Sequence, residues 1–281
     1  MGHEPEGHES LLPLLRLTPD GDDRFLAPTP DTPGDGPGRL FGGQVAGQSL
    51  LAACATVEAG RLPHSMHAYF MRGGRMGEPL QLEVQRTRDG RSFTTRQVTA
   101  SQDGHAIFVL SASFHTAEDG EDWQLPAPAG VPRPDELGPP PAGPIAFWAP
   151  FDIRPAGGPG EDGFPIAHPV WVRVRERLPD DPVLHACALV WLSDIGVAPS
   201  ARAPGTLAAS RPFVGASLDH AVWFHRPARA DDWVQFCVRP ESNAGGRGLV
   251  RGAMHTLDGV RVASVAQEAL VRDAGAPPPR A

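Results

Sequence analysis

The sequence predicts an α+β protein built from two similar units, each a long helix followed by an antiparallel strand meander. Three observations carry this expectation. A helical stretch opening at Gly42-Gly43-Gln44 is followed by four strand-like runs, and the same succession returns in the second half. The segment SMHAYFMR, Ser65 to Arg72, is echoed inside RPFVGASLDHAVWFHR, Arg211 to Arg226; both run His-Ala, then aromatics, then Arg. The turn pair Asp103-Gly104 recurs as Asp258-Gly259 at an offset of 155 residues, and Arg91 recurs as Arg247 at an offset of 156. The chain therefore reads as an internal duplication, with the two units side by side forming one continuous sheet.

Taken in order, residues 1–9 are expected to be disordered, and Ser10 to cap a short helix carrying Leu11, Leu12, Leu14 and Leu15. Residues 24–27 suggest a brief strand before a Pro/Gly loop. The first helix is predicted over about 43–59, with Val45, Leu50, Ala53, Cys54 and Val57 near one stripe. Its small residues Ala46, Gly47 and Ala52 permit close approach of another element. Strands follow near 64–72, 79–88, 92–102 and 105–116, with Asp89-Gly90 and Asp103-Gly104 as hairpin turns. From about 117 to 168, Pro and Gly dominate, and the stretch reads as a linker that packs over the surface in places. Residues 170–174 form a short strand, and Asp180-Asp181-Pro182 starts a helix predicted to run to about 194. Strands are expected near 212–226, 232–240, 247–256 and 260–273. This divides the chain into a first unit at 10–118, a linker at 119–168 and a second unit at 169–273.

Composition narrows the function classes. The chain has 281 residues, 41% of them apolar, enough for a full core without covalent staples. A formal charge of −8 argues against a nucleic-acid partner. Every basic side chain except histidine is Arg. The absence of Lys excludes Schiff-base and P-loop chemistry. Cys54, Cys187 and Cys237 are too scattered for a disulfide framework or a metal knuckle, which fits a reducing compartment. The N-terminus lacks an apolar signal core, and no run of about 18 apolar residues occurs, so a cytoplasmic protein without membrane spans is expected.

Several motifs fail on context. Gly158-Pro159-Gly160-Glu161-Asp162-Gly163 matches a dinucleotide fingerprint by letter, but no strand precedes it and two carboxylates would face the pyrophosphate. Gly215-Ala216-Ser217 begins a nucleophile elbow that Leu218-Asp219 does not complete. His3, His8, His64 and His67 lack the partners of a metal site. What remains is polar residues in apolar company. Asp194 ends the second helix, at the wrong pole of its dipole for a carboxylate. Ser217 lies in a strand, and Gln267 interrupts the apolar run of the last one. Each has a bland reading: a solvated helix end, a strand hydroxyl bonded to a neighbour, a buried amide bonded to a loop. Together they make a water site, with a carboxylate to accept a proton and a hydroxyl and an amide to orient the water. The first-helix start at Gly42-Gly43 offers backbone N–H groups for an oxyanion.

The residues also carry a family resemblance. The run Phe41-Gly42-Gly43-Gln44-Val45-Ala46-Gly47-Gln48, the strand ending HAYFMR (67–72), RDGRSF (88–93), SLDHAVWFHRP (217–227) and VAQE (265–268) closely resemble the acyl-CoA thioesterase II, or TesB-like, family. The resemblance spans about residues 10–273. It implies a double hotdog fold and hydrolysis of acyl-CoA to a free acid and CoA, through a water held by Asp, Ser or Thr, and Gln. By position these fall on Asp194, Ser217 and Gln267. Gly42, Gly43 and His67 are the expected oxyanion or substrate contacts, with His67 a competing candidate for the base. No metal or organic cofactor is implied, CoA being part of the substrate, and further pairing of chains is suggested. Two other readings share the fold. An enoyl-CoA hydratase would want a His soon after the Asp, where this chain has Ile195-Gly196-Val197-Ala198-Pro199. A non-catalytic acyl-CoA-binding module would bind without turnover, against which all three site residues are present.

Overall fold

The structure is a computed structural model and describes residues 10–30, 38–138, 149–157, 168–203 and 213–273. The GxGxxG-like segment and the N-terminal nine residues lie outside the described residues. In chain order the elements are β1 (Thr18–Pro19), β2 (Arg24–Ala27), α1 (Gly42–Cys54), β3 (Arg61–Phe70), β4 (Leu80–Asp89), β5 (Phe93–Gln102) and β6 (His105–Thr116). They continue with β7 (Phe151–Pro155), β8 (Val170–Val174), α2 (Pro182–Leu192), α3 (Val197–Ser200), β9 (Phe213–Ser217), β10 (Asp219–Phe224), β11 (Val234–Ala244), β12 (Arg247–Thr256) and β13 (Arg261–Asp273).

All strands join one antiparallel sheet in the order β1-β2-β4-β5-β6-β3-β10-β13-β12-β11-β8-β7, with β9 also on β13. The halves meet at β3 and β10, which pair from Tyr69 with Asp219 to Ser65 with Trp223. The duplicated units thus form the continuous sheet expected. Its inner face wraps α1 and α2, and the apolar side chains of both helices and of the inward strand positions form a single core. α1 is buried almost all round, so its Gln44 and Gln48 need partners. Both amides donate to Pro28 O, and Gln48 also to Leu14 O, tying the N-terminal segment to the helix.

The helices cross where the small residues allow it. A Cβ on Gly47 would stand 2.9 Å from the Cys187 carbonyl oxygen. This antiparallel packing sets the start of α1 against the end of α2. α1 stops at Cys54, short of the expected 59. Buried Arg96 there donates to the Thr56 hydroxyl at 2.9 Å and to the Thr56 carbonyl at 3.0 Å, a cation on the carbonyl end of the helix.

Other expectations need correction. Ser10 caps nothing; its hydroxyl donates to Glu176. The Glu176 carboxylate also accepts the Leu11 and Leu12 N–H groups, and the turn over Leu12–Leu15 is 3₁₀. The Pro-rich stretch contributes β7, which pairs with β8 through Phe151–Pro155. Its Pro and Gly neighbours mask the short alternation. Elsewhere that stretch does run over the surface, where Gln124 brackets the β12–β13 turn through Gly259 O and Arg261 N. The predicted strand at 212–226 breaks at Leu218. That residue's N–H reaches Glu268 O while its carbonyl accepts Phe70 N–H, so β9 and β10 pair with β13 on either side of an interruption. Among the described residues, no helix is long and apolar enough to cross a membrane.

Candidate active site

Asp194 lies one residue beyond the C-cap of α2 and is 6% exposed. Two glycines let α1 reach it. A Cβ on Gly42 would sit 2.7 Å from Asp194 Oδ2, and one on Gly43 would sit 2.4 Å from the Trp191 carbonyl oxygen. The Gly-Gly pair is therefore a steric requirement of the approach between α1 and the end of α2. Burial raises the Asp194 pKa to about 7, and three donors facing the carboxylate oppose that rise: the Gly43 N–H, the Gln267 amide and the Ser217 hydroxyl. Oδ1 is buried with no hydrogen-bond partner among the described residues. The carboxylate is thus poised to bind a proton near neutral pH and has one oxygen uncommitted.

Ser217 ends β9, opposite Ala269 of β13. Gln267 lies on the inward face of β13, fully buried, and its Nε2 donates to Ser217 Oγ at 2.7 Å. The structure therefore brings together Asp194, Ser217, Gln267, Gly42 and Gly43. The Gly43 N–H, expected to be free for an oxyanion, faces the Asp194 carboxylate instead.

His67 is not in this group. It is exposed, pairs with Ala221 on the outer face of the sheet and packs edge-on against Trp223 with ring centroids 5.1 Å apart. The echo between HAYF and HAVWF matches letters one residue out of step with the pleat. His220 points inward, as do Met66 and Ala68, whereas His67 points out.

Two residues without an expected role, Ser193 and His220, join the site from behind. His220 is fully buried, with Nδ1 2.6 Å from Gln267 Oε1 and Nε2 2.8 Å from Ser193 Oγ. Burial lowers its pKa to about 4, so the imidazole is neutral. Strand parity was the available signal: His220 lies on the same inward row as Val222.

In front of the site is a cleft of about 350 Å³. Gly42 and Ser217 line it together with Leu40, Val45, Phe70, Ile107, Phe108 and Leu218, and the exposed Arg39 and Arg72 are also on its wall. A cleft with apolar side chains, bordered by Gly42 and Ser217 and with cations on its wall, suits a ligand with a hydrocarbon part and an anionic part.

Known proteins share this arrangement of chain. Residues 160–270 match the family model described as acyl-CoA thioesterase, and residues 29–115 match that of the acyl-CoA thioesterase N-terminal domain. Human acyl-coenzyme A thioesterase 8 is 34% identical over 258 residues, covering 83% of this chain and 81% of its own length. Acyl-CoA thioesterase 2 of Haemophilus influenzae is 31% identical over 285 residues, covering 94% of this chain and 97% of its own. The crystal structure of the acyl-CoA thioesterase II TesB2 from Mycobacterium marinum superposes with a TM-score of 0.80 at 39% identity, covering 95% of this chain and 99% of the other. The sheet, the two enclosed helices and these matches agree: the chain is a double hotdog protein and belongs to the acyl-CoA thioesterase II, or TesB-like, family of thioester hydrolases.

Proposed function

We propose that this chain hydrolyses acyl-CoA by direct attack of a water held among Asp194, Ser217 and Gln267. The observation that carries this reading is the Asp194 carboxylate, buried with Oδ1 unpartnered among the described residues and beside the Ser217 hydroxyl and the Gln267 amide. Water bound to Oδ1 gives its proton to the carboxylate as its oxygen bonds to the thioester carbon. Ser217 and Gln267 orient the water, and the negative charge on the former carbonyl oxygen develops against the positive end of the α1 dipole at Gly42. Collapse of the tetrahedral intermediate breaks the C–S bond. CoA leaves as the thiol once it takes up the proton, and the acyl group leaves as the carboxylic acid. The acyl chain occupies the apolar cleft, and Arg39 and Arg72 meet the phosphates of CoA.

The base works only when ionised. A group that binds its proton at about 7 makes kcat/KM fall tenfold per pH unit below that value and level off above it. Thiol release from a hydrolysable acyl-CoA, followed from pH 5.5 to 9, tests this. A single ionisation near 7 supports Asp194 as base, and a rate independent of pH across the range contradicts it. No feature of the site favours a hydratase or a binding module over hydrolysis.

A further inference from the structure

Behind the proposed water site, Ser193, His220 and Gln267 form a buried chain in which each residue is 0% exposed. The contacts run from Ser193 Oγ to His220 Nε2 at 2.8 Å, from His220 Nδ1 to Gln267 Oε1 at 2.6 Å, and from Gln267 Nε2 to Ser217 Oγ at 2.7 Å. Protons can be placed along this chain in two self-consistent directions, because the imidazole is neutral and the amide can turn over. In one, Ser193 donates to Nε2, Nδ1–H donates to Oε1, and the amide NH₂ faces Ser217. In the other, every donor and acceptor is reversed. The Ser193 proton then goes to Val190 O, also 2.8 Å away, Nε2–H donates to Ser193, and the Ser217 hydroxyl must donate to Oε1.

The Asp194 carboxylate separates the two. When ionised it only accepts, and both the Gln267 amide and the Ser217 hydroxyl face it. The reversed direction would turn the amide oxygen toward the anion and spend the Ser217 proton on Gln267. The forward direction puts NH₂ toward the anion and leaves the Ser217 hydrogen for the carboxylate or its water.

We propose that His220, held as the Nδ1–H tautomer by the Ser193 hydroxyl, is a positioning residue that fixes the Gln267 amide with its NH₂ toward Ser217 and Asp194. His220 touches no reacting atom; it acts through Gln267, and the proposal rests on the water site described above.

The test compares steady-state thiol release from one acyl-CoA by the full-length chain and its variants, each checked for cooperative melting. His220→Leu removes the donor to Oε1 and is expected to lower kcat about 10- to 100-fold, with KM little changed, as for a misplaced catalytic group. His220→Asn puts an amide nitrogen near the place of Nδ1 and recovers most of that loss. His220→Gln reaches toward Ser193 instead and does not. Placed on Gln267→Ala, His220→Leu costs nothing further, because its effect is already gone. Nitrogen NMR of the wild-type imidazole reports Nδ1 protonated and Nε2 bare.

Full additivity of the two losses, equal rates for the Asn and Gln variants, or an Nε2–H tautomer would overturn the proposal. Should His220→Leu not fold, the Asn–Gln contrast and the tautomer decide alone. Full activity in Gln267→Ala would instead remove the water site itself, an outcome distinct from failure of His220.

Discussion

At the scale of single residues, Asp194 trades stability for a carboxyl group that takes up its proton near neutral pH. Its pKa in the fold, about 7, lies above its ordinary value of 3.8 because burial disfavours the anion. Its folded-state advantage is therefore full below 3.8 and is lost as pH rises toward 7, where the buried group must ionise. Asp194→Asn has no such titration. It is expected to match wild-type stability at pH 4 and to exceed it by roughly 2–4 kcal/mol at pH 8.5. Urea unfolding at the two pH values checks this, and equal stabilities at pH 8.5 would mean the carboxylate is not strained in the fold. The residue types of the site were legible in the sequence, because Asp, Ser and Gln each interrupt an apolar run. His220 was not: it sits beside Asp219 in a motif that looks like its outward-facing echo at His67. Letters cannot say which of two adjacent strand residues faces the core until the register is known.

At the scale of elements, the site exists because α1 and α2 touch. Gly47 is one contact point, a turn along from Gly43, with the Cys187 carbonyl 2.9 Å from where its Cβ would be. Gly47→Ala gains up to about 1 kcal/mol in helix propensity. It must also push apart two buried backbones, an overpacking cost of about 1–3 kcal/mol, so the second effect wins. The variant is expected to melt earlier and to lose activity, since parting the helices withdraws Gly43 from Asp194. A higher melting temperature would show that the crossing has slack. Elements with long, regular patterns were legible: α1, the four-strand meander and its counterpart fell within a few residues of their predicted places. What escaped was decided by tertiary partners. Arg96 binds Thr56 just past the end of α1, Ser10 serves Glu176, and β7 is a strand only because β8 lies beside it.

At the scale of the whole molecule, the helix-plus-meander unit is duplicated, but the proposed Asp194–Ser217–Gln267 set occurs once among the described residues. The inward pair His220 and Gln267 of the second unit corresponds, at offsets of 154 and 155, to Met66 and Ala112, which pair across β3 and β6 in the first. The pseudo-equivalent position thus has apolar side chains where the proposed water site has an imidazole and an amide. The first unit contributes the α1 N-terminus and most of the cleft, and the second contributes Asp194, Ser217 and Gln267, so neither unit holds a site alone. The repeated pattern was visible in the sequence. That the halves would share a site between α1 and the end of α2 depends on an antiparallel crossing that no local pattern encodes. The most direct test of this account is release of free thiol from a panel of acyl-CoAs by the wild-type chain and by Asp194→Asn. Turnover of at least one member by the wild type is expected, with a rate about 10²–10⁴ lower in a folded variant. A folded Asp194→Asn that hydrolyses the same substrates at the wild-type rate would contradict it.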